Sequence, residues 1–316
     1  MTFIDMHVDI RLASLNDVKG ITEVHCSDVK VWRKRINDKW CPASYEELSI
    51  EERFMHGGPW MSVETCAIYL NYLLIAKQYP LVAVLDDKIV GELELFIGEE
   101  RGVLGKTAFI DILVVHNDYR RRGIGRRLVQ RAEEMAVENN CDTLSVWPEE
   151  NAIPFYNKCG ITVKAYEPVE IAIKLDNLSP EGSRQVDITI DEVKYSELEK
   201  MFFISPRIYS SKAAWLKSKW TIAIKEWYGK TIRGWIYGAK AYFVLREKAE
   251  RSAVLFMWIK SIKDLGEVLK NILYIAKREN LSEVTMIIDQ KLAKKLEQKI
   301  LLNYKNKYTV LYKNLK

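Results

Sequence analysis

The feature that most limits the fold is a short basic loop between an apolar run and an amphipathic repeat. Apolar residues dominate 108–115, the loop 119–127 holds five arginines and the pair Gly123-x-Gly125, and apolar residues then recur from 128 to 136. Recurrence every three or four residues is typical of a helix, whereas a short, largely apolar run fits a buried strand. The segment therefore predicts a strand, a glycine loop and a helix in that order.

A loop of this kind suits an anion. Glycines let backbone N–H groups approach the ligand, and the start of the helix supplies roughly half a positive charge. Arginine side chains add charge-assisted hydrogen bonds to phosphate oxygens, and the loop offers Arg120, Arg121, Arg122, Arg126 and Arg127. The geometry favours a pyrophosphate, although the loop is neither the dinucleotide GxGxxG nor the GxxxxGK[ST] phosphate loop.

Further elements are predicted on both sides of the loop. They are a strand at 7–12 with a helix through Val24, a helical insertion at about 28–78, a hairpin of 81–85 and 89–97, a strand at 143–147, a short helix around Tyr156, and a final pair of strands within 161–175. Strands outnumber long helices, so we expect a mixed α/β fold.

The loop and its flanks resemble the GNAT superfamily of acetyl-CoA-dependent N-acetyltransferases. Arg120-x-x-Gly123-x-Gly125 matches the motif [Arg/Gln]-x-x-Gly-x-[Gly/Ala], and 10–13, 113–115 and 152–160 are similar to the flanking segments of that family. The resemblance covers about 7–175 and implies a mixed, mostly antiparallel sheet flanked by helices. The alternative is an unrelated α/β domain whose arginine run is a solvated face.

The resemblance implies acetyl-CoA as co-substrate and assigns its contacts. The backbone of Leu113, Val114 and Val115 would pair with the pantetheine arm beside parted strands of the sheet. The loop would hold the pyrophosphate through Arg120, Arg121, Arg122, Gly123, Ile124, Gly125 and Arg126. In the family an asparagine that contacts the cofactor usually lies seven residues before the tyrosine, but here that position is Glu149. Asn151, five residues before Tyr156, would make the contact through a shifted loop; alternatively, the contact is lost.

Catalysis needs a proton donor and a base. By the resemblance, Tyr156 would protonate the departing thiolate; the alternative is a core aromatic beside Phe155. Amine attack needs a neutral nitrogen, so a base is required, and Asp111 within its apolar strand is the first candidate, against a structural hydrogen-bonding role. Glu92 and Glu94 are further candidates on one face of the preceding strand, unless that face is simply solvated.

The 316 residues suffice for about two domains, which we place at 1–176 and 186–316 with a linker at 177–185. Residues 1–180 hold 21 basic and 28 acidic side chains, whereas the remainder holds 27 and 15. A shift of 140 residues aligns Asn280 with Asn140 and predicts a degenerate GNAT-like repeat without acetyl-CoA. An unrelated α/β domain is the alternative.

The stretch 212–242 mixes lysines and arginines with aromatics. This pattern could bind nucleic acid, but buried aromatics with solvated bases give the same pattern and are favoured; docking on the acidic half is a third reading. The five separated cysteines argue against disulfides and a zinc site, and we expect no metal. No apolar run is long enough for a membrane span, and the N-terminus lacks signal-peptide features, so we expect a cytoplasmic protein without a membrane partner.

These observations predict an N-acetyltransferase that moves an acetyl group from acetyl-CoA to a primary amine by direct attack. The acceptor is expected to be a small amine or amino-acid derivative, because the insertion at 28–78 could enclose a pocket. The alternatives are a protein acetyltransferase, acting on an N-terminus or a lysine, and an acetyl-CoA-responsive module that binds nucleic acid or protein. The sequence leaves the oligomeric state open.

Overall fold

A computed structural model describes residues 8–37, 39–176, 178, 188–189, 193–205, 210–220, 230–236, 241–248 and 251–316. The chain divides into two compact units. The first unit comprises Met1–Ile97 and Ala108–Asn140, and the second comprises Gly98–Thr107 and Cys141–Lys316.

The regular elements alternate along the chain, as the sequence predicts. The strands are β1 Asp9–Leu12, β2 Arg33–Ile36, β3 Lys39–Pro42, β4 Tyr79–Leu85, β5 Lys88–Glu100, β6 Gly105–Val115, β7 Thr143–Val146, β8 Val163–Tyr166, β9 Pro168–Lys174, β10 Ile188–Thr189, β11 Phe202–Phe203, β12 Thr231–Ile236, β13 Ala241–Glu247, β14 Ser252–Ile259, β15 Glu283–Asp289, β16 Asn303–Lys307 and β17 Val310–Asn314. The helices are α1 Val18–Cys26, α2 Ile50–Met55, α3 Val63–Ile75, α4 Ile124–Glu138, α5 Ile153–Lys158, α6 Tyr195–Leu198, α7 Ser211–Trp220, α8 Leu265–Arg278 and α9 Gln290–Leu296. The expectation of a mixed α/β fold with mostly antiparallel sheets is confirmed.

The sheet of the first unit follows the order β1-β4-β5-β6, with β4 antiparallel to both β1 and β5. The predicted hairpin is present, and its two-residue turn places Asp86 and Asp87 at φ of 48° and 61°. Such values fit a type I′ turn, whose twist matches that of the flanking strands. The hairpin brings the carboxylates of β5 into the centre of the sheet.

The predicted helix after the glycine loop is α4. Its buried side chains recur at helical spacing: Ile124, Leu128, Val129, Ala132, Met135 and Ala136. The prediction for the insertion is partly wrong, because β2 and β3 form an antiparallel pair within it before α2 and α3 follow. The sequence 33–42 is basic and lacks the apolar alternation that indicates a strand.

The second unit contains a sheet of order β10-β12-β13-β14-β15-β9-β16, in which β11 also pairs with β14. Strand β9 precedes the predicted linker yet pairs with β15 and β16, whereas the C-terminal β17 pairs with β7 and β8. The predicted pair within 161–175 therefore forms β8 and β9, each joined to later strands. Of the predicted linker, only Leu178 is among the described residues, and the division at 177–185 stays a prediction.

The internal repeat has a matching backbone signature. Asn140 follows α4 with φ of 55°, and Asn280 follows α8 with φ of 64°. The N–H of Asn140 donates to the carbonyl of Val137 at 2.9 Å, and that of Asn280 donates to the carbonyl of Lys277 at 3.0 Å. Asparagine is one of the few residues that tolerate this left-handed conformation, so the shift of 140 residues aligns equivalent helix ends.

Candidate functional site

The loop before α4 has the backbone conformation that an anion site requires. Gly123 caps the helix with φ of +82°, and a Cβ there would meet no atom within 4 Å. Backbone conformation, and not lack of space, therefore favours glycine. The first N–H groups of a helix have no acceptor within it, so this end of α4 presents backbone donors and a positive dipole end.

The arginines of the loop are all exposed, and two of them also hydrogen-bond backbone carbonyls. The guanidinium of Arg120 donates to the carbonyl of Val115 at 2.9 Å and pairs with Asp28, which follows α1. Arg122 donates to the carbonyl of Asp118 at 2.9 Å. Arg121 and Arg126 are exposed. The side chain of Arg120 thus fixes the end of β6, and the exposed arginines supply charge near the helix start.

The end of β6 lies immediately before this loop. Leu113, Val114 and Val115 are half-buried there, as is Asp111. On the opposite strand, a Cβ at Gly91 would lie 3.2 Å from the carbonyl oxygen of Val114. The absence of a side chain at Gly91 therefore lets β5 approach the part of β6 for which a pantetheine contact is predicted.

Two carboxylates of β5 are buried and engaged. Glu92 and Glu94 are each 1% exposed, so the alternative of a solvated sheet face is wrong. Glu92 hydrogen-bonds the Nε2 of His25 in α1. Glu94 accepts 2.8 Å bonds from the Nε1 of Trp60 and from the hydroxyl of Tyr69 in α3. Buried carboxylates need such partners, since desolvation of an unpaired charge is very unfavourable.

The partners of these carboxylates form an aromatic cluster. The rings of His25 and Trp60 stack with centroids 5.0 Å apart, and Trp60 meets Tyr69 edge-on at 5.4 Å. Burial, followed by the negative charges of Glu94 and Asp111, raises the pKa of Tyr69 well above its ordinary value. Tyr69 therefore stays protonated at neutral pH and acts as a hydrogen-bond donor to Glu94.

Sequence reasoning missed His25, Trp60 and Tyr69. The signal for His25 was its place on the buried stripe of α1, which also contains Val18, Ile21 and Val24. Nothing local marked Trp60 and Tyr69, because their partner Glu94 lies 34 and 25 residues away in the chain. Only tertiary folding brings them together.

The other predicted residues lie in the second unit. Tyr156 in α5 is 6% exposed, and burial raises the pKa of its hydroxyl above the ordinary tyrosine value. Its ring meets Phe155 edge-on at 5.1 Å. Asn151 is exposed in the turn before α5. The roles predicted for Tyr156 and Asn151 stay predictions.

The described aromatics of the 212–242 stretch contribute to a hydrophobic core. Tyr242 is 1% exposed, and Trp215 and Trp235 pack against the same cluster. The Nε1 of Trp215 donates to the carbonyl of Val193 at 3.1 Å. Residues 221–229 and 237–240 lie outside the described part of the chain. The question of a nucleic-acid partner stays open.

The described residues contain neither a candidate metal-ion cluster nor a helix suited to crossing a membrane. No group of three or more His, Cys, Asp or Glu in these segments is arranged to hold a metal ion. No helix within them is both long and apolar enough to cross a membrane.

Comparisons with known proteins agree with this geometry. Residues 42–161 match the family model "Acetyltransferase (GNAT) family". A GCN5-related N-acetyltransferase from Kribbella flavida is similar at TM-score 0.62 and 11% identity, with 100% of this chain and 73% of that chain covered. A GCN5-related N-acetyltransferase from Anabaena variabilis is similar at TM-score 0.56 and 12% identity, with 98% of this chain and 73% of that chain covered. A tandem GNAT protein from the clavulanic acid biosynthesis pathway gives 0.50 and 14% over 98% of each chain.

These likenesses show the fold, and one of the three neighbours is a tandem GNAT protein, at identities that carry no substrate information. The family model covers the loop, Asp111 and both carboxylates of β5. The predictions of the GNAT fold and of an acyltransferase are confirmed at this level. Residues 42–161 of the chain thus match the GNAT acetyltransferase family.

Proposed function

We propose that this protein transfers an acetyl group from acetyl-CoA to a primary amine by direct attack. The observation that carries the proposal is the start of α4, where Gly123 adopts φ of +82° directly after a basic turn. Backbone donors and the helix dipole favour a pyrophosphate at this place, and Arg121 and Arg126 add positive charge. The half-buried end of β6 leads into it, which suits an extended acyl-carrier arm.

The amine must lose a proton to attack. Its lone pair forms the C–N bond at the acetyl carbonyl carbon, the C–S bond then breaks, and the sulfur leaves as a thiolate. Glu92 and Glu94 are held by His25, Trp60 and Tyr69. Asp111 is less buried than either carboxylate, and we assign it as the base that accepts the ammonium proton. Glu92 and Glu94 then contribute negative potential that favours a cationic acceptor.

The thiolate needs a proton as it departs. We assign this role to Tyr156 from the resemblance of its helix to the late helix of the family; its hydroxyl, like that of any tyrosine with a pKa of about 10 or above, is protonated at neutral pH. A group that is protonated before the reaction can donate as charge develops on sulfur. The assignment is supported by the family resemblance of the surrounding helix.

A small amine or amino-acid derivative is the acceptor that best fits the first unit. The insertion supplies Trp60 and Tyr69 to the carboxylate face of β5, so this face is covered by the protein itself. A covered face with buried carboxylates favours a compact cation over a protein surface, because burial restricts access.

The experiment is calorimetric titration with acetyl-CoA, followed by thiol release in the presence of amines. The protein, Gly123→Asp and Gly266→Asp would be compared, since Gly266 lies in the first turn of α8. We expect binding that only Gly123→Asp abolishes, and turnover with small amines. Binding that survives Gly123→Asp would reject the loop as the cofactor site, and turnover with peptides alone would reject the acceptor class.

A further inference from the structure

The second unit repeats the arrangement that leads into the candidate cofactor site. Strand β14, helix α8 and strand β15 follow one another as β6, α4 and β7 do, and β14 and β15 are parallel. Asn280 ends α8 as Asn140 ends α4. The equivalent of the predicted pantetheine contact is therefore the edge of β14 that faces β15.

Strands β14 and β15 part after a short contact. They pair only from Ser252–Val254 to Glu283–Thr285, although β14 continues to Ile259 and β15 to Asp289. Past Val254, the edge of β14 on this side needs another partner, since unpaired backbone groups in a buried sheet are unfavourable.

Residues 202–205 of the same chain fill that gap. Phe202 and Phe203 pair with Ile259 and Trp258 of β14, and the N–H of Ile204 donates to the carbonyl of Met257 at 2.8 Å. On the other side, the hydroxyl of Ser205 accepts from the N–H of Ile287 in β15 at 3.2 Å. The segment thus hydrogen-bonds both parted strands.

The inserted segment is well packed. Phe203, Ile204 and Ser205 are 9%, 2% and 0% exposed. The ring of Phe203 stacks on Trp258 with centroids 4.8 Å apart. An acyl-carrier arm could enter this gap only by displacing these buried contacts.

The start of α8 is also unsuited to a pyrophosphate. Its cap is Asp264 with φ of −87°, and Glu267 lies in the first turn. The start of α4 has a left-handed glycine and no acidic residue in its first turn. Carboxylates at a helix start compete for the dipole and repel phosphate.

The geometry points to residues 202–205 as an internal substitute for the acyl-carrier arm. The segment closes the second gap to acetyl-CoA, and each chain has one acetyl-CoA site. The number of acetyl-CoA sites per chain rests on the proposed function, because the single site is the loop at Gly123. Closure of the second gap by residues 202–205 does not depend on the proposed function.

Hydrogen exchange tests the closure directly on the full chain. Ser205→Ala removes the acceptor of the Ile287 N–H, so exchange of this amide should accelerate on the order of tenfold. The matched control is Ser210→Ala, which removes the hydroxyl acceptor of the Ala213 N–H in the same unit and should leave Ile287 unchanged. Fast exchange of Ile204 and Ile287 in the unmodified protein, or no effect of Ser205→Ala, overturns the closure.

Calorimetric titration with acetyl-CoA tests the number of sites per chain. One site per chain in the unmodified protein and none in Gly123→Asp are expected. Two sites in the unmodified protein, of which one persists in Gly123→Asp, would show an open second gap and overturn the inference. No binding by the unmodified protein rejects the proposed function and the single site together, and hydrogen exchange then decides whether residues 202–205 close the second gap.

Discussion

Glu94 offers the sharpest test of the buried cluster. Its carboxylate is 1% exposed and accepts two hydrogen bonds of 2.8 Å, from Trp60 and Tyr69. A hydrogen bond to a charged group contributes about 1.5–3 kcal/mol. Glu94→Ala removes both bonds and leaves two buried donors without this acceptor, so we expect the free energy of unfolding to fall by about 3–6 kcal/mol.

Glu94→Gln separates the two contributions. The amide of glutamine retains one acceptor oxygen, but its NH₂ group cannot accept from the second donor. Removal of the charge also relieves desolvation and repulsion by the neighbouring Glu92, so we expect a smaller loss of about 1–3 kcal/mol. Glu99→Ala is the matched control, because Glu99 is exposed on the same strand and its replacement should change stability by less than about 0.5 kcal/mol.

Urea unfolding followed by circular dichroism gives each free energy from the midpoint and slope. The reasoning predicts the order Glu94→Ala, Glu94→Gln, Glu99→Ala, from most to least destabilised. Tyr69→Phe combined with Glu94→Gln should be non-additive, because the two residues share one hydrogen bond. A Glu94→Ala protein as stable as the Glu99→Ala control would refute the bonding arrangement.

Three further predictions address the loop, the acid response and the proton donor. Gly123→Ala should weaken acetyl-CoA binding and lower the free energy of unfolding by about 1–2 kcal/mol, since alanine at φ of +82° is strained. The control Gly266→Ala, within α8, should neither weaken binding nor lower stability. Calorimetry measures the binding and urea unfolding measures the stability. The hydrogen bonds from Arg11 hold the pKa of Asp17 below its ordinary value, so their stabilisation is present above the unfolded pKa of about 3.9 and is lost as pH falls through the folded pKa. The destabilisation of Asp17→Asn should therefore be larger at pH 7 than at pH 3 in urea unfolding. Tyr156→Phe should lower kcat about 10²- to 10⁴-fold with little change in the acceptor KM, as measured by thiol release.

Local patterns were sufficient for the elements that position the loop. The helical recurrence from Leu128 to Ala136 predicted α4, and Asp86-Asp87 between two apolar runs predicted the β4–β5 turn. In each case the residues that form the pattern are the same residues that adopt the predicted helix or turn, and they lie within a few positions of one another. Secondary structure of this kind is determined by neighbours in the sequence.

Features that depend on distant partners were not accessible in the same way. The sequence could place Glu92 and Glu94 on one face of β5, but not decide whether water or protein covered that face. The β2–β3 pair lacks apolar alternation, and the segment 202–205 is too short for a periodic signal. The gap between β14 and β15 arises only when the sheet forms, so its occupant is visible only in the structure.

The bonding of Glu94 also limits how acceptor selectivity can change. Trp60 and Tyr69 belong to the insertion, yet they are hydrogen-bond donors to a carboxylate of the central sheet. Replacement of the insertion by a short connection would remove both donors at once, and loss of the partner of a buried charge costs about 3–5 kcal/mol. A graft that alters the covering of the carboxylate face must therefore keep an equivalent of these donors, or also replace Glu94 with an apolar residue. Under the proposed function, selectivity and stability are coupled at this position, because the insertion covers the carboxylate face and also stabilises Glu94.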